Sequence, residues 1–348
     1  GSGAYDRRKG DPHELRPKST GPKQEAEKMW ESWGTDFRYW NFDDQNTRDF
    51  LTRVSLHWLI QGRADGLRLD YVRGVPHDYW AELYAAVKAA RPESFLFGEA
   101  WQDAAAVAAN ALDIAKYYEP IPGTGPQFDG LLEYPLQMVM TDVFARDGMA
   151  EDLESWLQRT AALYGRQGRP VYFLDNHDVS RFLSWAVDSP DDRLLAAVGF
   201  MAALSSPMIL YYGTETGLTG GRAKLGFVDD GRVAMPWKNL DQALIDRISE
   251  LLRLRATYPA LPRGGRLPVH ADNRTLIMRK THPDGDVLVG VNASKKEAVV
   301  TLPHSRLPED CGAIVGLVAE TLPTCREDGT VSWALPAHST SWVALGGR

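Results

Sequence analysis

Asp65-Gly66-Leu67-Arg68-Leu69-Asp70-Tyr71-Val72 interleaves two charged side chains, Arg68 and Asp70, with two apolar ones, Leu67 and Leu69. The two-residue period of a β-strand puts Arg68 and Asp70 on one side and the leucines on the other. A charged pair is thereby presented at the C-terminal end of a strand. Outward from this stretch the hydrophobic period switches again and again. Upstream, Asn46 with Asp49 three residues later opens a helix over 46–61 with Leu51, Val54 and Trp58 on one face, and Gly62 stands where a C-terminal cap is expected. Downstream come a helix over 78–90, a strand over 95–99, a helix over 103–111 and a weaker strand over 131–136. A helix over 150–164, a strand over 171–175, a helix over 191–204, a strand over 208–212 and a helix over 241–256 complete the series. Such alternation implies parallel strands with helices outside them.

After Gly264 and Gly265 the helical period disappears. Short runs at Thr275–Arg279, Asp286–Asn292, Ala298–Leu302 and Thr340–Leu345, separated by turns, read as a separate antiparallel β-sandwich domain over 263–348. At the other end, residues 1–40 are polar and rich in Pro and Gly, and read as irregular. They close on an aromatic cluster, Trp30, Trp33, Phe37, Tyr39 and Trp40, assigned to packing. Gly1-Ser2-Gly3 reads as an expression scar, not a targeting segment, so cellular location stays open.

The 348 residues carry a formal net charge of -7 with scattered Lys and Arg, which argues against a nucleic-acid partner. No apolar run approaches the roughly 20 residues that cross a bilayer, so no membrane partner is expected. The two cysteines, Cys311 and Cys325, match no metal-binding spacing and are expected as free thiols.

Two more strand ends carry ionisable groups. Phe95-Leu96-Phe97-Gly98-Glu99-Ala100-Trp101 ends an apolar strand in a carboxylate beside a tryptophan, and Phe173-Leu174-Asp175-Asn176-His177-Asp178 brings an acidic, imidazole-bearing cluster to a third strand. Each has an ordinary reading when taken alone. An Arg–Asp pair supports a strand end, a lone Glu is a surface residue, and Asp and Asn cap helices. In a parallel βα barrel, however, the active site lies at the C-terminal strand ends, so Asp70, Glu99 and Asp178 are expected on one face. Three carboxylates with an Arg and a His make a poor core and suit glycosidic bond cleavage. The retaining mechanism needs a nucleophile and a proton donor about 5–5.5 Å apart.

At this point the sequence resembles the α-amylase family of glycoside hydrolases. Asp65–Val72 is similar to its nucleophile motif, Gly98–Trp101 to its acid/base motif and Phe173–Asp178 to its third-carboxylate motif, in that order. Ser206-Pro207-Met208-Ile209-Leu210-Tyr211-Tyr212-Gly213-Thr214-Glu215 resembles the family's last barrel strand, and Met235-Pro236-Trp237 follows it as in the family. Leu251–Gly264 looks like the passage from barrel to C-terminal domain. The fold implied is α/β, a (β/α)8 TIM-type barrel represented by its last five strands, with the C-terminal sandwich. Residues 1–40 would be an irregular tail or the remnant of the excursion after barrel strand three, and 41–262 the partial barrel.

The resemblance implies roles residue by residue. Asp70 is the nucleophile and Arg68 keeps it ionised and oriented. Glu99 is the acid and then the base, holding a proton near neutrality beside a negative neighbour. Asp178 binds the hydroxyls of the distorted sugar, with His177 donating a further hydrogen bond, and Trp101 stacks on a sugar face or serves the core. The substrate implied is an α-glucan oligosaccharide or polysaccharide. No metal or organic cofactor enters this chemistry, and a structural calcium is not inferable.

The sequence departs from the family pattern in two places. Barrel strands one to three have no counterpart, and five strands cannot close a barrel, so the edge strands at Leu67 and Met208 stand open to pairing. A fragment or cleaved chain, a second polypeptide supplying those strands, or an incomplete natural architecture would each account for this, the first being favoured. Locally, the position four residues after Asp70 is Gly74, preceded by Arg73, where the family often has His. Two alternatives to hydrolysis follow: a transglycosylase or sugar isomerase using the same intermediate, and a non-catalytic amylase-like binding or scaffold protein. Retention of all three carboxylates argues against the second.

Overall fold

The computed structural model describes residues 40–101, 106–165, 168–186, 188–221, 230–303 and 314–345. The chain forms two compact units, Gly1–Leu132 with Leu163–Arg169, and Glu133–Ala162 with Pro170–Arg348. In the first, helix α1 (Gln45–Ile60) leads to strand β1 (Gly66–Leu69), helix α2 (His77–Ala90), strand β2 (Phe95–Gly98), helix α3 (Val107–Tyr118) and strand β3 (Gly130–Leu132). β1 pairs with β2 and β2 with β3, both parallel. Leu59, Val72, Trp80, Leu83, Val87, Leu96, Ile114, Phe128 and Leu131 are the buried apolar filling between helices and strands.

Three local expectations are corrected in this unit. The N-cap of α1 is Asp44, not Asn46: its carboxylate accepts the Thr47 N–H at 3.2 Å, which satisfies one of the orphan donors of the first turn. Of the helix expected over 103–111, residues 103–105 lie outside the described residues; the helix observed, Val107–Tyr118, runs past Ala111 because Ile114, Tyr117 and Tyr118 bury a face one turn apart. The strand expected over 131–136 stops at Leu132, because Pro135 stands in the first turn of a helix beginning at Tyr134. Of the aromatic cluster, Trp30, Trp33, Phe37 and Tyr39 lie outside the described residues, and Trp40 is exposed with its ring 6.0 Å from Phe50.

Asp129 fastens β2 to α2. It accepts from the Leu96 N–H at 2.8 Å, the Lys88 ammonium at 2.7 Å and the Tyr84 hydroxyl at 3.0 Å. Burial, and then the Asp129 charge, pushes the Tyr84 hydroxyl up to about 12.

The second unit contains α4 (Tyr134–Met140), most of α5 (Glu151–Tyr164), β4 (Pro170–Phe173), α6 (Pro190–Ala202), β5 (Met208–Ile209), α7 (Gln242–Thr257) and α8 (Ala260–Arg263). β4 and β5 are parallel, and β5 is shorter than the expected strand over 208–212. The antiparallel domain is richer than its sequence signal, with β6 (Gly265–Ala271), β7 (Thr275–Thr281), β8 (Asp286–Asn292), β9 (Ala298–Pro303), β10 (Ile314–Val318), β11 (Thr324–Cys325), β12 (Thr330–Leu335) and β13 (Ser339–Leu345). They form two sheets, ordered β10-β13-β8-β7-β6 and β11-β12-β9. Ile277, Leu288 and Val343 of one sheet meet Val300, Leu302, Val331, Trp333 and Leu335 of the other in one apolar cluster, as a sandwich requires. Cys325 is disulfide-bonded, which corrects the expectation of free thiols, and Cys311 lies outside the described residues. Among the described residues no helix is long and apolar enough to cross a membrane.

Two features make the fold testable. Gly98 ends β2 where a Cβ would lie 2.8 Å from Val72 Cγ1, 2.9 Å from Phe128 and 3.0 Å from Leu131. Gly98→Ala therefore costs about 1–3 kcal/mol of stability through overpacking, read as a lower denaturation midpoint; an unchanged midpoint contradicts this packing. Lys280 is fully buried on β7, its ammonium bonded to the Ser205 hydroxyl. Burial, then the charges of Arg266 and Arg255, lowers it from 10.5 to about 7. The sign follows from the protons bound: above pH 7 the folded protein has lost a proton that the unfolded chain still holds, so stability rises between about pH 7 and 10. Below pH 7 the full cost of the buried charge remains. Lys280→Met should be more stable than wild type at pH 7 and lack that rise, and parallel stability–pH profiles for the two proteins would refute the assignment.

Candidate functional site

The site residues of the first unit are placed by strand register. Gly66, Leu67, Arg68 and Leu69 face Phe95, Leu96, Phe97 and Gly98, a constant offset of 29 in sequence. The ladder runs on past the strand ends: the Glu99 N–H donates to the Leu69 carbonyl at 3.0 Å, and the Val72 N–H to the Glu99 carbonyl at 3.1 Å. Asp70 and Glu99 are thus neighbours on adjacent strand ends. Arg68 joins them, Nη1 to Asp70 Oδ1 at 2.6 Å and Nη2 to Glu99 Oε2 at 2.9 Å. The Arg68–Asp70 pair was legible in the sequence; the second arm to Glu99 was not. The two carboxylates differ sharply in access, with the Asp70 side chain 63% exposed and that of Glu99 9%.

Immediately beyond Asp70 the backbone is held in an uncommon state. Tyr71 has φ 48° and ψ 50°, the left-handed region that an aromatic residue seldom adopts. The turn that follows supports it, since the Gly74 N–H donates to the Tyr71 carbonyl at 3.0 Å and Trp80 Nε1 to the Val72 carbonyl at 3.0 Å. Arg73, which precedes the atypical Gly74, forms a buried ion pair with Asp113 of α3 at 2.5 Å. Trp101 lies half-buried two residues after Glu99.

In the second unit, β4 delivers Asp175 through Asp178. Asp175 is buried, accepts the Phe182 N–H at 2.9 Å and the Thr214 hydroxyl at 2.7 Å, and is raised above the ordinary carboxylate range by that burial. Asn176 forms a turn, its Oδ1 accepting the N–H groups of Asp178 at 2.7 Å and Val179 at 3.1 Å, while its amide donates to the Tyr134 hydroxyl at 3.0 Å. Asp178 Oδ2 stands 3.1 Å from His177 Nε2. Its Oδ1 is 3.2 Å from Arg232 Nη2, and Arg232 Nε donates to the His177 carbonyl at 2.7 Å. The structure therefore groups Arg68, Asp70 and Glu99 in the first unit and His177, Asp178 and Arg232 in the second. Arg232 escaped the sequence reading because it closes a single 3-10 turn, Asp230–Arg232, too short and Gly-containing to show a period; its one signal is the Met235-Pro236-Trp237 motif three residues on. Among the described residues no group of three His, Cys, Asp or Glu side chains is arranged to hold a metal.

The catalytic domain of alpha amylase matches residues 35–250. Neopullulanase 2 of Thermoactinomyces vulgaris is 30% identical over 278 residues, covering 78% of this chain and 43% of its own length. A cyclomaltodextrinase of Geobacillus thermopakistaniensis is 29% identical over 263 residues, covering 73% and 41%. The chain thus spans less than half the length of these curated relatives. Among solved structures, the α-amylase of Geobacillus thermoleovorans complexed with acarbose superimposes with a TM-score of 0.77 at 26% identity, over 88% of this chain and 65% of that one. The fold of AmyP, solved in complex with maltose, is also shared, with a TM-score of 0.76 at 21% identity, over 88% of this chain and 69% of that one. The catalytic-domain match spans well over half of the chain and all three carboxylate-bearing strand ends, and on that ground the chain belongs to the α-amylase family.

Proposed function

We propose that this chain carries the machinery of a retaining glycosidase that cleaves α-glucosidic bonds in maltooligosaccharides or related α-glucans through a covalent glycosyl-enzyme. The observation that carries the reading is the Arg68 bridge between an open carboxylate and a buried one. Adjacent strands are about 4.8 Å apart, which suits the roughly 5–5.5 Å between the carboxyl groups of a retaining pair. Exposed Asp70 is reachable by an anomeric carbon, and Arg68 holds one of its oxygens so that the other can attack. Glu99, largely withdrawn from water, is suited to protonating the departing glycosidic oxygen without bulk solvent competing for the proton. In the second half-reaction it takes a proton from the water that attacks the same carbon, and Asp70 leaves as a carboxylate.

Asp178 accepts hydrogen bonds from hydroxyls of the distorted sugar, His177 donates a further one, and Trp101 offers a ring face to the substrate. The names of the curated relatives, cyclomaltodextrinase and neopullulanase, support an α-glucan as substrate.

Asp70→Asn should lower turnover of maltooligosaccharides about a thousandfold or more with the fold intact, because a carboxamide cannot form the glycosyl-enzyme. Retention of more than about a tenth of wild-type activity removes Asp70 from the nucleophile's role. A 5-fluoroglycosyl fluoride, which slows breakdown of the intermediate, should leave its sugar on the peptide bearing Asp70 in a digest read by mass spectrometry; attachment elsewhere refutes the assignment.

Glu99→Gln should spare kcat/KM for substrates with activated leaving groups and cripple it for natural ones, since kcat/KM reports the first step, in which only the latter need protonation. Equal losses of kcat/KM on both would show that Glu99 is not the acid.

A further inference from the structure

Asp178 is fixed in two separable ways. Its backbone is set by the Asn176 turn, anchored in turn on the Tyr134 hydroxyl. Its side chain is set by His177 on one oxygen and Arg232 on the other. Arg232 reaches it from 54 residues away in sequence, and its presentation is itself built. On one side, the Gly231 carbonyl accepts from Arg181 Nε at 2.9 Å. On the other, the Val233 carbonyl accepts from the Tyr212 hydroxyl at 2.7 Å. Arg181 is fully buried, its guanidinium 4.1 Å from the ring centre of Tyr211 and 4.8 Å from that of Tyr212. It donates as well to the Tyr212 carbonyl at 2.6 Å. The residues flanking Arg232 are thereby tied to the segment after β5, while Arg232 itself remains 44% exposed.

We infer that Arg232 is a positioning residue for the proposed reaction: with its main chain fastened by Arg181 and Tyr212, it fixes the Asp178 carboxylate and the His177 backbone in the orientation that receives the sugar. The inference rests on the role proposed above for Asp178. A fork of planar donors suits the task, because one guanidinium satisfies a carboxylate and a carbonyl together, which an ammonium does not do in fixed geometry. Since the guanidinium is half-exposed and the Asn176 turn is independent of it, removing it should disturb the carboxylate and spare the fold. Loss of about an ångström of alignment at a reacting centre costs on the order of 100-fold in rate.

The test compares Arg232→Ala, Arg232→Lys, Asp178→Asn and the double variant Arg232→Ala/Asp178→Asn, with kinetics on an aryl α-maltoside and crystal structures of the two Arg232 variants. Arg232→Ala should lower kcat about 10- to 100-fold with KM nearly unchanged, and Arg232→Lys should fall between it and wild type. In the Asp178→Asn background the same Arg232→Ala change should have an effect below about threefold, because a residue acting through Asp178 has nothing left to position. The Arg232→Ala crystal structure should show the Asp178 carboxylate rotated and the Asn176 turn intact. An equal loss in both backgrounds, or a carboxylate that keeps its place, overturns the inference. Full activity of Asp178→Asn alone refutes instead the role given to Asp178, while the crystal structures still decide whether Arg232 holds the carboxylate.

Discussion

The parallel pairing of β1 with β2 in a fixed register is the constraint on which the first unit depends. Side chains alternate along a strand, so a slip of one residue would turn Arg68 and Asp70 towards the core and the leucines to the other face. The register is locked at both ends by residues without a Cβ. At the start, a Cβ on Gly66 would lie 2.1 Å from the Phe95 carbonyl oxygen, and at the finish Gly98 is enclosed by Val72, Phe128 and Leu131. Arg68 adds an electrostatic lock, since only this register brings Asp70 and Glu99 within reach of one guanidinium. Stability and site geometry thus come from the same few residues.

Elsewhere the molecule relies on arginines that serve main-chain carbonyls more than carboxylates. Arg255 donates to the carbonyls of Ala202 at 2.5 Å, Leu204 at 2.7 Å and Ser206 at 2.6 Å, along the turn by which the chain leaves the end of α6. Arg91 does the same for Leu59 and Ala64 between α1 and β1. A guanidinium stays charged and divides its donors over several acceptors, so one side chain closes a helix end and anchors the loop beyond it. Arg181 follows the same logic with the loop that carries Arg232.

What the sequence made legible follows the range of the physics. Strand ends bearing charge at a two-residue spacing are local, so Asp70, Glu99 and Asp178 were read at the ends of strands; the strands observed are shorter and stop at Leu69, Gly98 and Phe173, before all three. The helices over 150–164 and 241–256 were likewise legible, because each has an apolar face of several turns; they are observed at Glu151–Tyr164 and Gln242–Thr257. The C-terminal end of the helix at Val107–Tyr118 was read short, because its burial is decided by Ile114, Tyr117 and Tyr118 against distant residues. The second arm of Arg68 needs the register of a neighbouring strand, and the Arg232–Asp178 contact needs a loop path, neither of which is encoded within one window of sequence. The bonded state of Cys325 depends on tertiary proximity and was misread for the same reason.

This difference in range has a functional consequence. The cation serving Asp70 and Glu99 lies two residues from one of them on the same strand, so no loop rearrangement can remove it without also breaking β1. The cation serving Asp178 belongs to a loop whose course is set by contacts after β5, at Gly231 through Arg181 and at Val233 through Tyr212. On the roles proposed above, changes in that segment act on the carboxylate that meets the sugar while leaving Arg68, Asp70 and Glu99 in place, so turnover can be tuned from the segment after β5 without touching the β1–β2 pair.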